Sequence, residues 1–414
     1  MIKQYPYFKY RIRKILGLVL PQKIINLLRH LPIAIYANLR FGFPSKNMKV
    51  IGVSGTDGKT TTVNMVYHIL KDSGKKVSMV STINAYIGDQ TIDTGFHVTS
   101  PDPMNIQKLI KTARNLGSEY LILEVTSQAL DQHRFWGIDY DIGVITNVTH
   151  EHLDYHKTFG NYLNTKGKLI KNSKVAVLNI DEEENFKKLS KLASGKVISF
   201  GLREEADFNP RSFPTALKLP GEFNTLNALA AFATCRELGI DTDKIVESLA
   251  GFTILPGRME KIENKKGINI YVDFAHTPNA LEKALETLHT KGGSRLLAVF
   301  GAAADRDEGK RPLMGRIAAE NADIVILTDE DPRFEDSLKI INDIAQGAIG
   351  AGAISGENLY LIPDRRAAIE TALKIAKKGD TVGIFGKGHE KSMNYEGLEK
   401  PWSDVGAVKE LLES

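Results

Sequence analysis

The sequence is poor in cysteine and contains no long apolar run. Cys235 is the single cysteine in 414 residues, which excludes an intrachain disulfide and favours a reducing compartment. No apolar run approaches the roughly 18–20 residues that a membrane-spanning helix needs. The early run at 15–20 is too short, and no small-residue cleavage site of a secretory signal follows it. Disulfide-rich secreted scaffolds and membrane-spanning proteins are therefore not expected.

Acidic residues are missing from the first fifty positions. That segment holds ten basic side chains and no Asp or Glu, although the whole chain has a net charge of only +4. The remaining residues carry 44 basic and 50 acidic side chains, so a basic arm precedes a mildly acidic body. A basic arm suits nucleic acid, but the body shows no recognition motif for it, and no nucleic-acid partner is expected.

A glycine-rich turn follows the first apolar strand of the body and leads into a helical run. Backbone N–H groups in such a turn, and the helix N-terminus behind it, point at phosphate oxygens. Lys59 supplies a mobile charge for the outer phosphates, and the Thr60 hydroxyl can bind Mg²⁺. The spacing is shorter than the usual G-x-x-x-x-G-K-[ST], and an ordinary turn is the alternative. The predicted ATP loop comprises Gly55, Thr56, Asp57, Gly58, Lys59, Thr60 and Thr61.

From residue 48 onward, near-continuous apolar strands alternate with helices, a pattern that predicts a parallel sheet covered on both faces. At 255–257 the pattern restarts. We therefore predict an α/β protein with a central phosphate-loop domain at 48–256 and a Rossmann-like α/β domain at 257–414. The basic arm at 1–47 is predicted to form one or two amphipathic helices, broken by Pro21 and Pro32. The predicted strands are 50–54, 77–80, 120–125, 143–148 and 175–180, then 270–274, 296–300, 324–327, 359–362 and 382–385.

Two polar segments follow strand ends in the central domain. Glu124 ends an apolar strand, at the sheet edge where open α/β sheets bind ligands, and a carboxylate there suits Mg²⁺. Segment 146–156 holds three His and two carboxylates within seven residues, which indicates metal or phosphate chemistry. Its spacing is not that of a structural zinc site. A solvated strand end and a polar loop are the respective alternatives.

Three charged loops follow strand ends in the second domain, at 305–311, 330–333 and 386–390. Because these strands are predicted to be parallel, the three loops converge on one rim. Arg side chains there suit carboxylate recognition, and Glu or Asp suits an ammonium group. Together the loops predict a pocket for a zwitterionic amino acid, although solvated charge is an equally good interpretation of any one loop alone.

Taken in order, these motifs resemble the Mur ligase family, ATP-dependent amino-acid ligases of peptidoglycan precursor synthesis. The resemblance runs over 48–412 and is strongest to the members that extend a UDP-N-acetylmuramoyl-dipeptide. It implies a ligase that uses ATP and Mg²⁺ to join a free amino acid to a UDP-muramoyl-peptide. The expected state is a cytoplasmic monomer. The matching segments are 52–62, 99–103, 124–134, 146–156, 162–166, 221–230, 257–260, 272–278, 301–315, 330–333 and 386–390.

The resemblance also implies roles for individual residues. Thr60, Glu124 and His152 match Mg²⁺ ligands or their neighbours, and Lys166 matches the family's carbamoylated lysine, whose carbamate is an anionic metal ligand. The expected catalytic residues are Lys59, Glu124, His152 and Lys166. The residues expected around the nucleotide beyond the loop are Asn227, Arg258, Asp273 and His276. Those expected around the muramoyl-peptide are Thr99, Ser100, Ser127 and Arg134. Those expected around the incoming amino acid are Arg306, Asp331, Arg333, Gly386 and Glu390.

Three departures from the family pattern bear on the substrates. The family's UDP-binding N-terminal domain is far larger than 47 residues, so recognition of the nucleotide end is open. The usual Asp-Asn-Pro-Arg is replaced by Glu330-Asp331-Pro332-Arg333. Arg333 favours an acceptor with a distal carboxylate, such as meso-diaminopimelate, whereas Asp331 keeps lysine open. Gln128 and Glu151 replace a His and an Asp, and both changes are mild.

Other interpretations stay open at this point. One is a ligase similar to folylpolyglutamate synthetase or cyanophycin synthetase, although 330–333 and 386–390 fit these poorly. Another is a non-catalytic binding module descended from a ligase, which predicts damage to the loop, Glu124 or Lys166; none is seen. For the arm we weigh packing on the central domain, contact with the substrate diphosphate, and peripheral contact with an anionic membrane.

Overall fold

The computed structural model describes residues 21–92, 100–212, 217–289 and 294–413. Within them the body of the chain forms two large sheets with helices packed on their faces. The strands are apolar and buried along most of their length, which requires cover on both faces. The predicted α/β class, with a phosphate-loop central part and a second Rossmann-like part, is confirmed.

The first sheet carries the glycine-rich turn at the end of its central strand. Its strands are β1 Lys49–Ser54, β2 Val77–Val80, β3 Ala85–Ile87, β4 Gln90–Ile92, β5 Tyr120–Glu124, β6 Tyr140–Ile145, β7 Ser173–Asn179 and β8 Lys196–Phe200. Across the described residues their order is β4-β3-β2-β5-β1-β6-β7-β8. Six neighbouring strands run parallel, in the order β2, β5, β1, β6, β7 and β8. The remaining two, β3 and β4, form an antiparallel hairpin at the β2 edge. The sequence predicted five of the parallel strands and missed β8 and the hairpin, whose strands are too short to show an alternating pattern.

Helices cover both faces of this sheet. Those on one face are Lys59–Asp72, Glu222–Glu237 and Thr242–Gly251. Those on the other face are Pro103–Asn115, Phe159–Lys171 and Glu183–Leu192. Two short helices, Ser127–Asp131 and Leu153–His156, follow β5 and β6 at the edge where the functional loops lie.

The second sheet lies in the C-terminal half. Its strands are β9 Glu260–Ile262, β10 Asn269–Asp273, β11 Leu296–Phe300, β12 Ile324–Leu327, β13 Leu359–Leu361 and β14 Thr381–Phe385. In the described chain their order is β13-β12-β11-β14-β10-β9, with β9 antiparallel and the others parallel. A separate hairpin pairs β15 Ser392–Tyr395 with β16 Leu398–Pro401. The helices of this half are Pro278–Leu288, Lys310–Asn321, Ser337–Gly350, Arg365–Ile375 and Asp404–Glu413.

The basic arm is helical where it is described. It runs as helix Gln22–Ile25, a π-helical turn Asn26–His30 and helix Leu31–Phe41. Pro21 precedes the helix as predicted, but Pro32 does not break it, so that part of the prediction is wrong. The π turn shifts the backbone register just before Pro32, since the Leu31 N–H bonds to the carbonyl of Asn26, five residues back. No helix in the described part of the chain is both long and apolar enough to cross a membrane.

A buried ion pair fixes two loops of the second sheet. The Arg365 guanidinium donates to both carboxylate oxygens of Asp404, at 2.7 and 2.8 Å, and both side chains are almost fully buried. The same guanidinium donates to the backbone carbonyls of Asp329 (3.0 Å) and Phe385 (2.9 Å). These carbonyls lie directly before segments 330–333 and 386–390, so one guanidinium sets the position of two predicted site loops.

We expect Asp404→Ala to destabilise the protein by about 3–5 kcal/mol, because it leaves the Arg365 guanidinium buried without its counter-ion. The matched control is Glu410→Ala, which removes the partner of Arg366 from an exposed ion pair of similar geometry. That variant should lose less than about 1 kcal/mol. Urea unfolding followed by circular dichroism measures both, and equal midpoints for the two variants would contradict this account.

Candidate active site

The carboxyl ends of the two parallel sheets face each other across one cleft. The cavity there has a volume of about 510 Å³, within the range of small-molecule sites. Most predicted site residues line it: Thr56, Asp57, Gly58, Lys59, Thr60, Thr61, Ser100, Glu124, Arg134, His152, Asn227, Arg258, Asp273, His276, Arg306, Asp331, Arg333 and Glu390. Gly55, Ser127, Lys166 and Gly386 lie behind this lining, and Thr99 lies outside the described residues.

The glycine-rich turn contains two glycines at which a side chain would clash with neighbouring residues unless these moved. A Cβ on Gly55 would lie 1.8 Å from Thr146 Oγ1, and a Cβ on Gly58 would lie 2.1 Å from Asn227 Oδ1. Gly58 also has a φ of +78° and immediately precedes the helix that begins at Lys59. The turn therefore presents the helix N-terminus to the cavity, which is the arrangement that binds phosphate.

The segment after β6 is hydrogen-bonded to the backbone of the glycine-rich turn. The Asn147 side chain accepts hydrogen bonds from the backbone N–H groups of Thr56 (3.1 Å) and Asp57 (2.8 Å). The Thr146 hydroxyl donates to the Asp57 carbonyl at 2.6 Å. The start of segment 146–156 therefore shapes the loop that would bind phosphate, and the predicted metal or phosphate chemistry of the segment stays a prediction.

Lys59 folds back over its own loop. Its Nζ donates to the carbonyls of Gly55 (3.0 Å) and Thr56 (2.7 Å). Burial lowers the pKa of this ammonium, against the attraction of Glu124 and Asp57. A charge held in this way is poorly solvated, so an incoming phosphate can offer it better partners than the loop carbonyls do.

Thr60 and Glu124 form the centre of a hydroxyl–carboxylate cluster. The Thr60 hydroxyl donates to Glu124 Oε1 at 2.9 Å, and Glu124 is buried. Thr82 donates to both Glu124 oxygens, through its hydroxyl (2.8 Å) and its backbone N–H (2.8 Å). Arg258 reaches the same place from the second half and donates to Thr60 Oγ1 at 3.2 Å. Nothing in the sequence pattern singled out Thr82.

His152 has a neutral ring that is free to bind a ligand. Burial and four nearby cations, Arg306 first, hold its pKa well below the ordinary value. Its Nδ1 makes no hydrogen bond with any described residue and lies 3.9 Å from Glu151 Oε1. Its backbone has a φ of +58°, an uncommon value that the surrounding loop imposes. An unpaired neutral imidazole nitrogen in a cleft is a suitable metal or hydrogen-bond partner.

Lys166 is completely enclosed beneath the phosphate loop. Its Nζ donates to the Gly55 carbonyl at 2.6 Å and lies 4.6 Å from the centre of the Tyr162 ring. Burial, and then the charge of Lys59, lower its pKa well below the ordinary value. The structure thus brings Thr60 and Glu124 together, whereas no described contact joins Lys166 or His152 to that pair.

The residues of the second half that are predicted to bind the nucleotide lie in two places. Arg258 comes just before β9, and Asp273 and His276 lie at and just after the end of β10. Each carboxylate oxygen of Asp273 accepts a hydrogen bond from a backbone N–H group, one from Met259 (2.7 Å) and the other from Ala275 (2.8 Å). The Arg258 guanidinium stacks over the Phe274 ring at 4.6 Å. His276 Nδ1 donates to the Phe274 carbonyl (2.8 Å), and burial lowers the pKa of this ring to about 3. Asp273 therefore fixes the local backbone, while Arg258 points a cation at the loop.

The predicted peptide residues lie beside β5. Ser100 donates to the Glu124 carbonyl at 3.1 Å and accepts from the Thr126 N–H at 3.2 Å. Arg134 donates to the Ser100 carbonyl at 2.5 Å. Ser127 is hydrogen-bonded to His156 at 3.0 Å, behind the lining of the cleft. Ser100 and Arg134 thus line the cleft, whereas Ser127 and His156 do not.

The residues predicted to bind the incoming amino acid lie on the wall of the cleft opposite the phosphate loop. Arg306 and Arg333 both line the cavity, and burial together with the Arg333 charge lowers the pKa of Arg306. Arg333 has a φ of +51°, and its N–H donates to the Asn394 carbonyl of the β15 hairpin at 3.0 Å. Asp154, Glu151 and Glu330 offset part of the charge on Arg306, and the two guanidinium groups together could bind a carboxylate.

A buried lysine that the sequence did not single out completes this wall. Lys387 Nζ donates to Asp331 Oδ1 at 2.9 Å and pairs with Glu390 Oε2 at 2.5 Å. Glu330 lies beside Gly386, where an added Cβ would come within 2.8 Å of its Oε2. Burial raises the pKa of Glu330 to about 7. A side chain at position 386 would therefore crowd Glu330, and Lys387 is shared between Asp331 and Glu390, so it offsets only part of their charge.

Direct contacts join the two walls. The Asp57 carboxylate accepts from the Thr277 hydroxyl (3.0 Å) and from the Asn279 amide (2.9 Å). Lys310 pairs with Glu151 at 3.3 Å, and both side chains are buried. Burial, opposed by Lys310, raises the pKa of Glu151. Sequence reasoning assigned no such contact, since nothing along the chain shows which loops meet across a cleft.

Comparison with known proteins matches both halves of the chain to one family. The Mur ligase middle domain matches residues 53–235, and the Mur ligase, glutamate ligase domain matches residues 257–388. A solved UDP-N-acetylmuramoyl-L-alanyl-D-glutamate--2,6-diaminopimelate ligase is 30% identical with a TM-score of 0.58, over 92% of this chain and 81% of that one. A Mycobacterium tuberculosis folylpolyglutamate synthase is 17% identical with a TM-score of 0.69, over 95% and 99% of the respective chains, which shows a shared fold.

Curated relatives extend over most of the chain. The UDP-N-acetylmuramoyl-L-alanyl-D-glutamate--2,6-diaminopimelate ligase of Clostridium botulinum is 37% identical over 378 residues, which are 86% of this chain and 76% of the relative. The enzyme of the same name from Aquifex aeolicus is 37% identical over 391 residues, or 90% and 79%. With both halves matched and relatives this similar over most of their length, the chain belongs to the Mur ligase family.

Proposed function

We propose that this protein is an ATP-dependent, ADP-forming ligase that joins meso-diaminopimelate to a UDP-N-acetylmuramoyl-dipeptide. The observation that carries the proposal is one cleft with a phosphate loop on one wall and paired guanidinium groups on the other. Lys59 and the Thr60–Glu124 pair occupy the first wall, and Arg306 with Arg333 occupies the second. An enzyme with these substrates works in the cytoplasm, where we propose it acts.

The residues suit a reaction in two steps. In the first, a carboxylate oxygen of the peptide attacks the γ-phosphorus of ATP, and the bond to the bridging oxygen breaks, so ADP leaves with the electron pair. The loop amides and Lys59 would stabilise the charge that develops on the phosphoryl oxygens. In the second, the amine of the acceptor attacks the acyl carbon, phosphate leaves, and the nitrogen loses a proton. A closed cleft protects the acyl phosphate from water.

The residues on the first wall also fit Mg²⁺. A buried carboxylate with a hydroxyl at 2.9 Å is an all-oxygen donor set of the kind that Mg²⁺ prefers. The neutral, unpaired Nδ1 of His152 adds a further donor in the same cleft. We propose that Thr60, Glu124 and His152 hold the ion, whose chemistry would be to neutralise phosphate charge.

The second wall supports the choice of acceptor. Arg306 and Arg333 together can bind two oxygens of a carboxylate. Asp331 would favour lysine only if its charge faced the acceptor, and Lys387, which also pairs with Glu390, offsets part of that charge at 2.9 Å. The two guanidinium groups are therefore the feature that supports an acceptor with a distal carboxylate. Phosphate release assayed with UDP-N-acetylmuramoyl-dipeptide against single amino acids tests this, and activity with lysine but not diaminopimelate would contradict it.

Lys59→Ala should reduce ligation by about 10²–10³-fold or more, because the variant loses a cation that would stabilise the transition state. The fold should be retained, since the loop itself is held by Asn147 and Thr146. The control is Lys71→Ala, which removes an exposed lysine from the last turn of the same helix. Coupled ADP release measures both, and near-normal turnover by the Lys59 variant would refute ATP-driven ligation.

Lys166 is predicted to carry a carbamate in the active enzyme, formed when its neutral amine attacks CO₂ and releases a proton. Burial lowers the pKa of Lys166 well below its ordinary value, which increases the neutral fraction of the amine, and the family resemblance motivates the assignment. Lys166→Ala should be largely inactive and partly rescued by acetate or formate. Lys171→Ala, an exposed position on the same helix, should be unaffected. An unmodified Lys166 at high resolution, with full activity in CO₂-depleted buffer, would argue against the modification.

Arg333→Ala should raise the KM for the acceptor by about tenfold or more and leave the KM for ATP nearly unchanged. If the acceptor is diaminopimelate, preference should shift toward lysine. Arg316→Ala is the matched control, since Arg316 belongs to an exposed ion pair with Glu320 in the same half. Steady-state kinetics with each substrate varied decides the matter. Equal increases in both KM values would show that Arg333 shapes the loop instead.

A further inference from the structure

The helix at 22–41 exposes its large apolar side chains. Exposed fractions range from 41% at Ile24 to 71% at Leu28, and the other members of this apolar face are Leu27, Ile33, Tyr36 and Leu39. Single exposed apolar side chains are ordinary, but six on one helical segment are not. The arrangement is the reverse of the one expected for an amphipathic helix that merely packs on its own domain.

The opposite side of the same helix packs against the body of the chain and is hydrogen-bonded to it. It is lined by small and polar residues, with Ala34, Ala37 and Asn38 buried. The Asn26 amide donates to Asp131 at 2.6 Å, and the Asn38 amide donates to the Trp136 carbonyl at 2.5 Å. The helix is therefore held in a fixed orientation that points its apolar face outward.

The apolar face also carries positive charge. Exposed Lys23, Arg29 and Arg40 alternate with the apolar side chains along the helix. Residues 1–50 contain no acidic residue that could offset them.

We propose that this surface, the apolar face with its three cations, binds the surface of an anionic lipid bilayer. Exposed apolar side chains among basic ones are what an interfacial helix needs, because the apolar groups enter the acyl boundary and the cations remain at the headgroups. A soluble diphosphate would use the cations but leave the apolar groups in water. A second copy of the chain would bring two basic arms together, which their like charges oppose.

The test is co-sedimentation of the full chain with vesicles of phosphatidylcholine containing about 30 mol% phosphatidylglycerol, compared with phosphatidylcholine alone. We expect binding to the anionic vesicles only, falling steeply as salt rises to about 0.5 M. The Leu27→Ser/Leu28→Ser variant should bind at least about tenfold more weakly. Replacing Lys23 and Arg29 by Ala should weaken binding by about fivefold for each residue.

Two matched variants control for a general loss of apolar surface or of charge. Leu338→Ser/Ile349→Ser alters two apolar side chains of similar exposure on helix Ser337–Gly350. Lys188→Ala/Lys191→Ala removes two exposed cations from helix Glu183–Leu192. Both should bind vesicles as the parent does, and all four variants should keep the parent's melting temperature, since the altered side chains are exposed.

Three results would overturn the proposal. The first is absence of binding to anionic vesicles at low salt, or equal losses in the control variants. The second is a raised KM for the UDP-linked substrate in the Lys23/Arg29 variant with vesicle binding unchanged, which would assign the cations to substrate. The third is a dimer in sedimentation equilibrium that Leu27→Ser/Leu28→Ser dissolves while the parent ignores vesicles, which would make this face a contact between copies.

Discussion

The carboxylate of Asp57 is the contact on which the geometry of the cleft depends. It belongs to the phosphate loop, yet it accepts its hydrogen bonds from Thr277 and Asn279 at the start of a helix in the other half. Together with the Lys310–Glu151 pair and the Arg258–Thr60 hydrogen bond, this carboxylate positions the phosphate loop against the second sheet. Group transfer between substrates bound on opposite walls requires such a link, since a misplacement of about 1 Å costs a large factor in rate.

Cations that are short of solvent surround this contact. Burial lowers the pKa of Lys59, of Arg258 and of Arg306, each from a different segment of the chain. Concentrating such groups costs free energy when the protein folds, because charges lose their hydration. Anionic substrates would recover part of that cost when they bind. A cleft lined by buried charges therefore stabilises the fold less than a hydrophobic interface of the same size would.

The sequence predicted the features that depend on local pattern. Apolar runs located the parallel strands, and the polar segments after them located most of the cleft, because parallel strands end at one edge. It did not predict contacts between distant segments. Thr82 reaches Glu124 from a segment without any motif, and Lys387 neutralises Asp331 across two loops. Asp273 lines the cleft as expected, yet its oxygens accept from backbone N–H groups, which no pattern reveals.

The π-helical turn at Asn26–His30 holds one more residue per turn than the α-helix around it. An insertion of this kind rotates everything that follows by about 100° about the helix axis. Loss of one residue from this turn would restore an unbroken α-helix and turn Ala34 and Ala37 away from the body. The orientation of the helix is thus set by chain length at one turn, and related sequences that differ there by a single deletion would present a different face to their surroundings.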